Sequence, residues 1–169
     1  GSTDLFAVQR KIAGPGAIPS WKSGAFNHEL DVTLTGNPLT TEILYTTDGS
    51  DPRESGRLYS GPIHVDEGTT NLQYVARGEG GTSSAVKSET YTVDMTAPEV
   101  TASVSGGTFD AVQNVTLSSP EATARIYYTL DGTTPTTNSP SYGGGVIRID
   151  QTSTLQAIAV DALGNASEP

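Results

Sequence analysis

Two stretches of the chain repeat each other at a fixed spacing, and this repeat constrains the fold more than any other feature. Residues 43–52 read ILYTTDGSDP, and residues 126–135 read IYYTLDGTTP. The same spacing is kept at separated positions, namely Pro15 and Pro98, Phe26 and Phe109, Tyr59 and Tyr142, and Leu72 and Leu155. A match over so many separated positions indicates two homologous modules in tandem. We predict modules at residues 14–96 and 97–169, preceded by a lead-in at residues 1–13.

Each copy consists of short runs rich in Val, Ile, Thr and Tyr between clusters of Gly, Pro, Asp, Asn and Ser. Regular short strands with turns between them predict an all-β chain of two tandem antiparallel β-sandwiches. The strands predicted in the first copy are Leu30–Thr35, Glu42–Thr47, Pro62–Asp66, Asn71–Arg77 and Ser88–Asp94. The strands predicted in the second copy are Glu99–Val104, Val112–Ser118, Ala124–Leu130, Val146–Asp150 and Thr154–Asp161.

The two ends of the sequence differ from a simple pair of complete modules. The second copy stops at Pro169, before the position that matches Tyr91 in the last strand of the first copy. We therefore expect it to lack a final strand, which leaves a sheet edge that invites pairing with another chain. Conversely, Asp4–Ile12 is strand-like, and the repeat spacing places Val8 opposite Tyr91. The hypothesis is that the second module is the less stable one and recruits residues 4–12 of a neighbouring molecule.

Composition narrows the class of protein. The formal net charge is −10, and the residues from Ala97 onward contribute −5 of it, from seven acidic and two basic residues. Both copies therefore repel phosphate backbones, and we expect no nucleic-acid partner. No window is long and apolar enough for a membrane span, so no membrane insertion is expected. The chain has no cysteine, which excludes disulfides, thiolate metal sites and cysteine nucleophiles. Gly1-Ser2 resembles a cleavage scar, so the natural start of the chain is not defined by this sequence.

The repeated pattern now indicates a family. Each copy contains Tyr-Thr-x-Asp-Gly-x-x-Pro, then a tyrosine (Tyr59 or Tyr142), then Leu-Gln-x-x-Ala. This pattern resembles the fibronectin-type-III/immunoglobulin-like domain at the C-terminus of bacterial chitobiases and β-hexosaminidases. The resemblance covers nearly all of residues 14–169, and it implies an Ig/fibronectin III-like sandwich without catalytic residues of its own. Such modules recur in secreted glycoside hydrolases and surface proteins, which implies a bacterial cell-surface or extracellular location.

The polar and aromatic residues that recur in both copies have a structural interpretation and a functional one. Asp48 and Asp131 each precede a glycine, and we expect each carboxylate to cap its own turn rather than to bind calcium. Tyr45 and Tyr128 lie on strands, and packing in the core is favoured over a role as sugar platforms.

Two aromatic residues are the candidates for ligand binding. Trp21 is the only tryptophan, and exposed tryptophans stack on sugar rings in carbohydrate-binding modules. It aligns with Val104, however, so burial at a sheet edge or module interface is favoured. Tyr127 matches Leu44, and the alternation of a strand turns it away from Ile126, Tyr128 and Leu130, so it either stacks on a ligand or packs on the opposite face.

Nothing in the sequence singles out a catalytic, metal or cofactor site. His28 and His64 are the only histidines, they fit no metal-ligand spacing, and they are expected to be surface residues without a special role. No Gly-x-Ser-x-Gly pattern is present. We therefore predict no enzyme activity and no cofactor. Between the copies, Asp94–Pro98 is short and lacks a Gly/Ser-rich linker, and Pro98 restricts the backbone, so the junction is expected to be semi-rigid.

Three functions follow as hypotheses. The first is an accessory or spacer role for the two modules in a larger secreted or cell-surface protein, with a polysaccharide-degrading parent and the neighbouring domains as partners. The second is carbohydrate binding, with a polysaccharide partner held through Trp21 and Tyr127. The third is adhesin-type self-association through an open sheet edge.

Overall fold

The structure is a computed structural model that describes residues 13–169. The strand predicted at Asp4–Ile12 lies outside the described residues. The described residues form two compact units, one comprising residues 13–25 and 29–93 and the other residues 26–28 and 94–169. No helix among residues 13–169 combines the length and the apolar character needed to cross a bilayer.

The first unit is built from nine short strands. They are β1 (Ala17–Pro19), β2 (Gly24–Phe26), β3 (Leu30–Val32), β4 (Leu34–Gly36), β5 (Glu42–Thr46), β6 (Arg57–Leu58), β7 (Ile63–Val65), β8 (Gly68–Arg77) and β9 (Lys87–Val93). One turn of helix, α1 (Pro52–Ser55), follows β5, and a 3₁₀ turn (Glu79–Gly81) follows β8. Four of the five strands predicted for this copy are present as single strands, and the strand predicted at Leu30–Thr35 is divided into β3 and β4. Strands β1, β2 and β6 and helix α1 were not predicted.

The strands of the first unit form antiparallel pairs in a sandwich-like arrangement. The largest sheet has five strands in the order β2-β9-β8-β5-β6, and two further pairs join β1 to β4 and β3 to β7. The central strand β8 pairs with β5 from Gln73 to Arg77 and with β9 from Gly68 to Tyr74. Both edges of β8 are therefore hydrogen-bonded, which satisfies its backbone groups in the interior.

Alternating side chains of the first unit supply its core. Val32 is inaccessible to solvent, and Leu30 and Leu34 are almost as deeply buried. On β9, Tyr91 and Val93 are buried and alternate with exposed residues, the period-two pattern of a strand with one face on a core. On β8, by contrast, Tyr74, Val75 and Ala76 are buried in succession, because this central strand is covered on both faces there.

The described part of the second unit repeats six of these nine strands. They are β10 (Thr101–Ala102), β11 (Gln113–Val115), β12 (Leu117–Ser118), β13 (Arg125–Thr129), β14 (Ile147–Ile149) and β15 (Gln156–Val160). The antiparallel pairs are β10 with β12, β11 with β14, and β13 with β15. Its core consists of Val115, Leu117, Ile126, Ile147 and Ala159, against which Tyr128 and Tyr142 pack.

Both units are closed by the same backbone hydrogen bonds. Equivalent pairs in the two copies are Ser20 N–Thr33 O and Ser103 N–Thr116 O, both 2.8 Å, and Ser84 N–Ala76 O and Ser167 N–Ala159 O, both 2.9 Å. The repeated sequence therefore specifies a repeated hydrogen-bond pattern, and both modules are antiparallel sandwiches of the predicted class.

The second unit departs from the first at one sheet edge. Among residues 13–169, β15 pairs along its length only with β13, and no strand takes the position that β9 holds in the first unit. The strand predicted to begin at Thr154 begins at Gln156. Leu130, predicted to share a strand face with Ile126 and Tyr128, lies beyond the end of β13 and is 39% exposed.

Candidate functional site

The Asp-Gly turn that follows β5 is stabilised by its own aspartate. The Asp48 carboxylate accepts hydrogen bonds from the Ser50 backbone N–H (3.0 Å) and from the Ser50 hydroxyl (2.6 Å). Gly49 has φ of 81°, a left-handed conformation that glycine adopts without a Cβ penalty. Its N–H donates to Asn71 O at 2.9 Å and so fixes the turn to β8.

The turn that follows β13 has the same geometry. The Asp131 carboxylate accepts from the Thr133 N–H (3.0 Å) and hydroxyl (2.6 Å), and Gly132 has φ of 79°. The Gly132 N–H donates to Thr154 O at 3.0 Å. Hydrogen bonds from Ser50 and Thr133 hold the pKa values of Asp48 and Asp131 below the usual range, because they favour the ionised carboxyl groups. The turn-capping interpretation of both aspartates matches this geometry.

The proline that ends each repeated segment is buried. Pro52 and Pro135 are both shielded from solvent. A threonine of the preceding strand adds a hydrogen bond to the loop in each copy. The Thr46 hydroxyl donates to Ser50 O, and the Thr129 hydroxyl donates to Thr133 O. The whole Thr-x-Asp-Gly-x-x-Pro segment is therefore engaged in shaping one loop.

Asp51 differs between the copies, and its role is local. It caps α1 by accepting from the Arg53 N–H, and its carboxylate also receives the Arg53 guanidinium. The hydrogen bonds from Arg53 lower the pKa of Asp51 to about 2. Both carboxylate oxygens of Asp51 are thus hydrogen-bonded to Arg53.

Two matched tyrosine pairs support the sheets. The rings of Tyr45 and Tyr59 meet edge to face with centroids 6.2 Å apart, and those of Tyr128 and Tyr142 do so at 6.5 Å. All four are half-buried. The Arg57 guanidinium carbon also lies 5.3 Å from the Tyr45 ring centroid. Edge-to-face pairs of this kind favour a fixed packing arrangement.

The two candidate ligand-binding residues lie in different units. Trp21 follows β1 and is 40% exposed, so the expected burial is wrong. Its carbonyl oxygen accepts from the Tyr91 hydroxyl at 2.8 Å, which fixes the backbone there but leaves much of the indole at the surface. Tyr127 is half-buried on β13, opposite Ile158. Their role in ligand binding stays a prediction.

The structure brings His64 together with three carboxylates, and this cluster was missed in the sequence. His64 Nδ1 lies 3.0 Å from Asp31 Oδ1, and Nε2 lies 3.5 Å from Glu29 Oε2 and 3.4 Å from Asp66 Oδ1. His64 is exposed, as expected of a surface residue, but the sequence did not predict the carboxylates around it. The cluster arises because β3 and β7 pair with Asp31 opposite His64. Its members come from the ends of β3 and β7, which β4, β5, α1 and β6 separate along the chain, so sequence spacing does not reveal the cluster.

The charge state of His64 follows from this cluster. The Asp31 hydrogen bond raises the pKa of His64, and the charges of Asp66 and Glu29 add to the effect. Glu29, His64 and Asp66 are also the only described group whose ligand atoms are close enough to share a metal ion, and all three are exposed. A protonated imidazole between carboxylates accounts for the same geometry.

Comparison with known proteins agrees with this fold. The family model for the chitobiase/β-hexosaminidase C-terminal domain matches residues 21–88 and 104–169. The chain therefore belongs to the chitobiase/β-hexosaminidase C-terminal domain family, present here as two copies.

Two relatives give the wider context. An endoglucanase of Clostridium saccharobutylicum is 36% identical over 86 residues, which are 51% of this chain and 17% of that protein. The chain thus spans less than a fifth of the length of this curated relative. A structure of the fibronectin(III)-like modules of Clostridium thermocellum CbhA has a TM-score of 0.42 and 16% identity, over 92% of this chain and 90% of that one.

The Asp-Gly turn yields a stability prediction. In Gly132→Ala, the new Cβ would lie 3.3 Å from Thr154 Cβ at a positive φ, so the free energy of unfolding should fall by about 1–2 kcal/mol. Gly106→Ala is the matched control, because its Cβ would meet open space and its φ is not positive. Urea unfolding of both variants measures the difference, and equal stability would contradict the assigned role of the turn.

The His64 cluster yields a pH prediction. Because the folded pKa of His64 is raised, its contribution to stability is full below the unfolded pKa near 6.5 and is lost as pH rises through the folded value. Melting of His64→Gln and the parent chain should therefore differ most at about pH 5.5 and least at about pH 8.5. His64→Arg keeps the positive charge and should remain stabilised at the higher pH. A His64→Gln difference that grows with pH would contradict the ion-pair assignment.

Proposed function

We propose that the two modules are non-catalytic accessory units that act as a spacer in a larger bacterial enzyme that degrades a polysaccharide. The proposal rests on the contacts made by the side chains that recur in both copies. The aspartates and threonines of both Asp-Gly turns hydrogen-bond within their own loops, and the tyrosines pair within their own modules. Residues that recur in both copies therefore serve the fold rather than a shared reaction centre.

The family and the relatives support the context of this proposal. Modules of this family are generally accessory domains, and one relative is named as an endoglucanase. The partners are then the neighbouring domains of the parent protein, and the location is the cell surface or the extracellular space. The acidic surface, with a net charge of −10, favours solubility in such a setting.

A spacer must resist bending where its modules meet, and the sequence of the junction supports this. Asp94–Pro98 has no glycine or serine, and Pro98 is buried. Pro98 fixes its own φ and biases Ala97 toward extended backbone.

Because the chain has no cysteine, two spin labels test the spacer directly. Labels at Glu54→Cys and Thr137→Cys, both exposed positions in different units, should give a narrow distance distribution. Pro98→Gly should broaden it, whereas Pro120→Gly, an exposed proline within the second unit, should not. A distribution in the parent chain as broad as in Pro98→Gly would refute the spacer proposal.

A carbohydrate-binding role is the second candidate, and the exposure of Trp21 favours it. Trp21 is 40% exposed, so part of this aromatic residue is accessible to a sugar ring. The proposed ligands are β-linked glucose or N-acetylglucosamine oligomers, which follow from the endoglucanase relative and the chitobiase family name. Tyr127 would supply a weaker, half-buried platform.

Tryptophan fluorescence tests this role cleanly, because Trp21 is the only tryptophan. If the role is correct, cello- or chito-oligosaccharides should shift the emission, and Trp21→Ala should abolish their binding in a calorimetric titration. Leu39→Ala, at another exposed apolar residue, is the control and should bind like the parent chain. Binding that persists in Trp21→Ala, or no binding to any of these sugars, would remove Trp21 as a site.

A further inference from the structure

The outer face of the β3–β7 pair carries four side chains whose oxygen or nitrogen atoms can bind a metal ion. Its inner face is packed in the core, where four residues of the two strands are each at most 5% exposed: Leu30, Val32, Ile63 and Val65. Successive side chains of a strand point to opposite faces, so the residues that alternate with these four point to solvent. They form the carboxylate–histidine cluster, which comprises Glu29, Asp31, His64 and Asp66.

The pairing register of the two strands brings the cluster together. Asp31 lies directly opposite His64 in the antiparallel ladder. Continued by one position, the same register places Glu29 beside Asp66, and residues two apart on a strand share a face. Side chains on one face of neighbouring strands are close enough to contact each other. The backbone pairing and the buried residues beneath it therefore hold the cluster in a fixed arrangement.

The two ring nitrogens of His64 have different surroundings. Nδ1 lies 3.0 Å from Asp31 Oδ1, the length of a hydrogen bond, and an ionised carboxylate can only accept, so Nδ1 donates. Nε2 lies 3.5 Å from Glu29 Oε2 and 3.4 Å from Asp66 Oδ1. A hydrogen bond from a charged imidazole to a carboxylate is about 2.7–2.9 Å long. Nε2 is therefore within ion-pair range of both carboxylates but forms a short hydrogen bond with neither.

The distances around Nε2 match the ligand spacing of a tetrahedral metal ion. Zinc binds an imidazole nitrogen at about 2.0–2.1 Å and a carboxylate oxygen at about 2.0–2.2 Å. At these bond lengths and the tetrahedral angle, two ligand atoms are about 3.3–3.5 Å apart. The two measured distances fall in this range, and the donor atoms of Glu29, His64 and Asp66 all lie within 4.8 Å of one another. One ion can therefore reach all three atoms after small rotations of exposed side chains.

The charge of the cluster gives an independent reason for a bound cation. Among residues 13–169, His64 is the only basic residue that forms an ion pair with any of its three carboxylates. When the imidazole is neutral, its remaining proton stays on Nδ1 because Asp31 accepts the hydrogen bond. Nε2 then presents a lone pair to two carboxylate oxygens, with no hydrogen between these three atoms. A divalent cation at this point replaces their mutual repulsion with attraction.

The position of Asp31 is one that supports a metal-bound histidine. A histidine that binds a metal through one nitrogen usually donates its other N–H to a carboxylate, a carbonyl or a water, which orients the ring and raises its basicity. His64 makes this bond to Asp31 through the nitrogen that does not face Glu29 and Asp66.

The second unit carries a different set of residues at the matching positions. They are Val112, Asn114, Arg148 and Asp150. The aspartate is retained, but the arginine supplies a permanent positive charge, and the valine has no atom that can bind a metal. The described part of the chain therefore combines one complete ligand set with one matched position that lacks it.

We propose that Glu29, His64 and Asp66 bind a divalent cation of the zinc class, and that Asp31 is the positioning residue that orients the imidazole. One imidazole and two carboxylates suit Zn²⁺, Cu²⁺ or Ni²⁺, whereas Ca²⁺ takes about six to eight oxygens. The ion takes the place of the second imidazole proton and joins residue 29, before β3, to residue 66, after β7. Because it binds the folded arrangement, it stabilises the first unit where His64 is neutral.

Calorimetric titration of the full chain, freed of metal with a chelator, tests the proposal. At about pH 8, Zn²⁺ should bind with one ion per chain, and Ca²⁺ should bind more weakly. His64→Gln should lose the binding, and so should Glu29→Gln/Asp66→Asn. His28→Gln, at the other histidine, and Asp150→Asn, in the second unit, are the matched controls and should bind like the parent chain. Binding that survives in His64→Gln, tighter binding of Ca²⁺ than of Zn²⁺, or more than one ion per chain would indicate an adventitious ion only and overturn the proposal.

Nitrogen NMR identifies the ligand atom, because the chain has only two histidines. Zn²⁺ should cause its largest shift at Nε2 of His64 and leave His28 unchanged, and a largest shift at any other ring nitrogen would overturn the assignment. In Asp31→Asn, the affinity for Zn²⁺ should fall roughly ten- to hundredfold. Asp110→Asn, at an exposed acidic residue of the second unit, is the control and should keep the parent affinity. An Asp31→Asn variant that binds Zn²⁺ like the parent chain would refute the positioning role.

Melting separates metal binding from the charge of the histidine. At about pH 8, Zn²⁺ should raise the Tm of the first unit in the parent chain, and a chelator should reverse the rise. His64→Arg carries its own positive charge and should gain nothing from Zn²⁺. An equal gain in both chains would contradict the proposal. These outcomes are independent of the spacer role, which is read from distances between labels in the two units.

Discussion

Each module depends on a central strand whose backbone is paired along both edges. In the first unit that strand is β8, which bonds β5 on one side and β9 on the other. In the interior of a small domain, unpaired N–H and C=O groups are costly, so a sheet is stable only when its middle strand is satisfied. In the second unit β13 pairs with one side of Gln156–Val160, and on the other side Ala166 and Ser167 pair with Val160 and Ala159. Residues 151–155 are not part of a strand, and Thr154 is hydrogen-bonded to Leu130 and Gly132.

The Asp-Gly turn sets the register of that pairing. A glycine N–H bonded to the central strand holds the turn at one position, so the strand before the turn cannot slip against its neighbour. Slippage by one residue would exchange Ile43 with Leu44, or Ile126 with Tyr127, between the two faces of the sheet. The aspartate, the serine or threonine after the glycine, and the buried proline keep the turn in that geometry. This explains why the most similar segment of the two copies is a loop with its flanking strand rather than a core strand alone.

The features that could be predicted from the sequence are those encoded by neighbours along the chain. Strand β5 is predicted by the alternation of its side chains, and the turn after it by the dipeptide Asp48-Gly49. The predicted and observed ends of β5 differ by one residue. The same strand and turn pattern occurs in both copies, and this agreement supports the prediction of two β-sandwiches. Strands β1 and β2 were missed because their residues, Ala-Ile-Pro and Gly-Ala-Phe, lack the alternating β-branched residues that mark the equally short β7. The exposure of Trp21 was misjudged because it was inferred from Val104, the residue at the matching position. A tryptophan side chain is much larger than a valine side chain, so the two need not be buried to the same extent. The His64 cluster could not be predicted, since it depends on which residue of β3 lies opposite His64.

The second unit offers an independent argument about that cluster. At the positions of Asp31, His64 and Asp66 it carries Asn114, Arg148 and Asp150, and Asn114 lies opposite Arg148 as Asp31 lies opposite His64. Arg148 Nε approaches Asp150 Oδ2 at 3.6 Å, close to the 3.4 Å between His64 Nε2 and Asp66 Oδ1. The residue two positions along a strand points to the same face, so both copies place a cation beside the same carboxylate. Arginine binds no metal ion in this role. What the two modules share at this site is therefore a positive charge held by an aspartate, and in the first module histidine makes that charge dependent on pH.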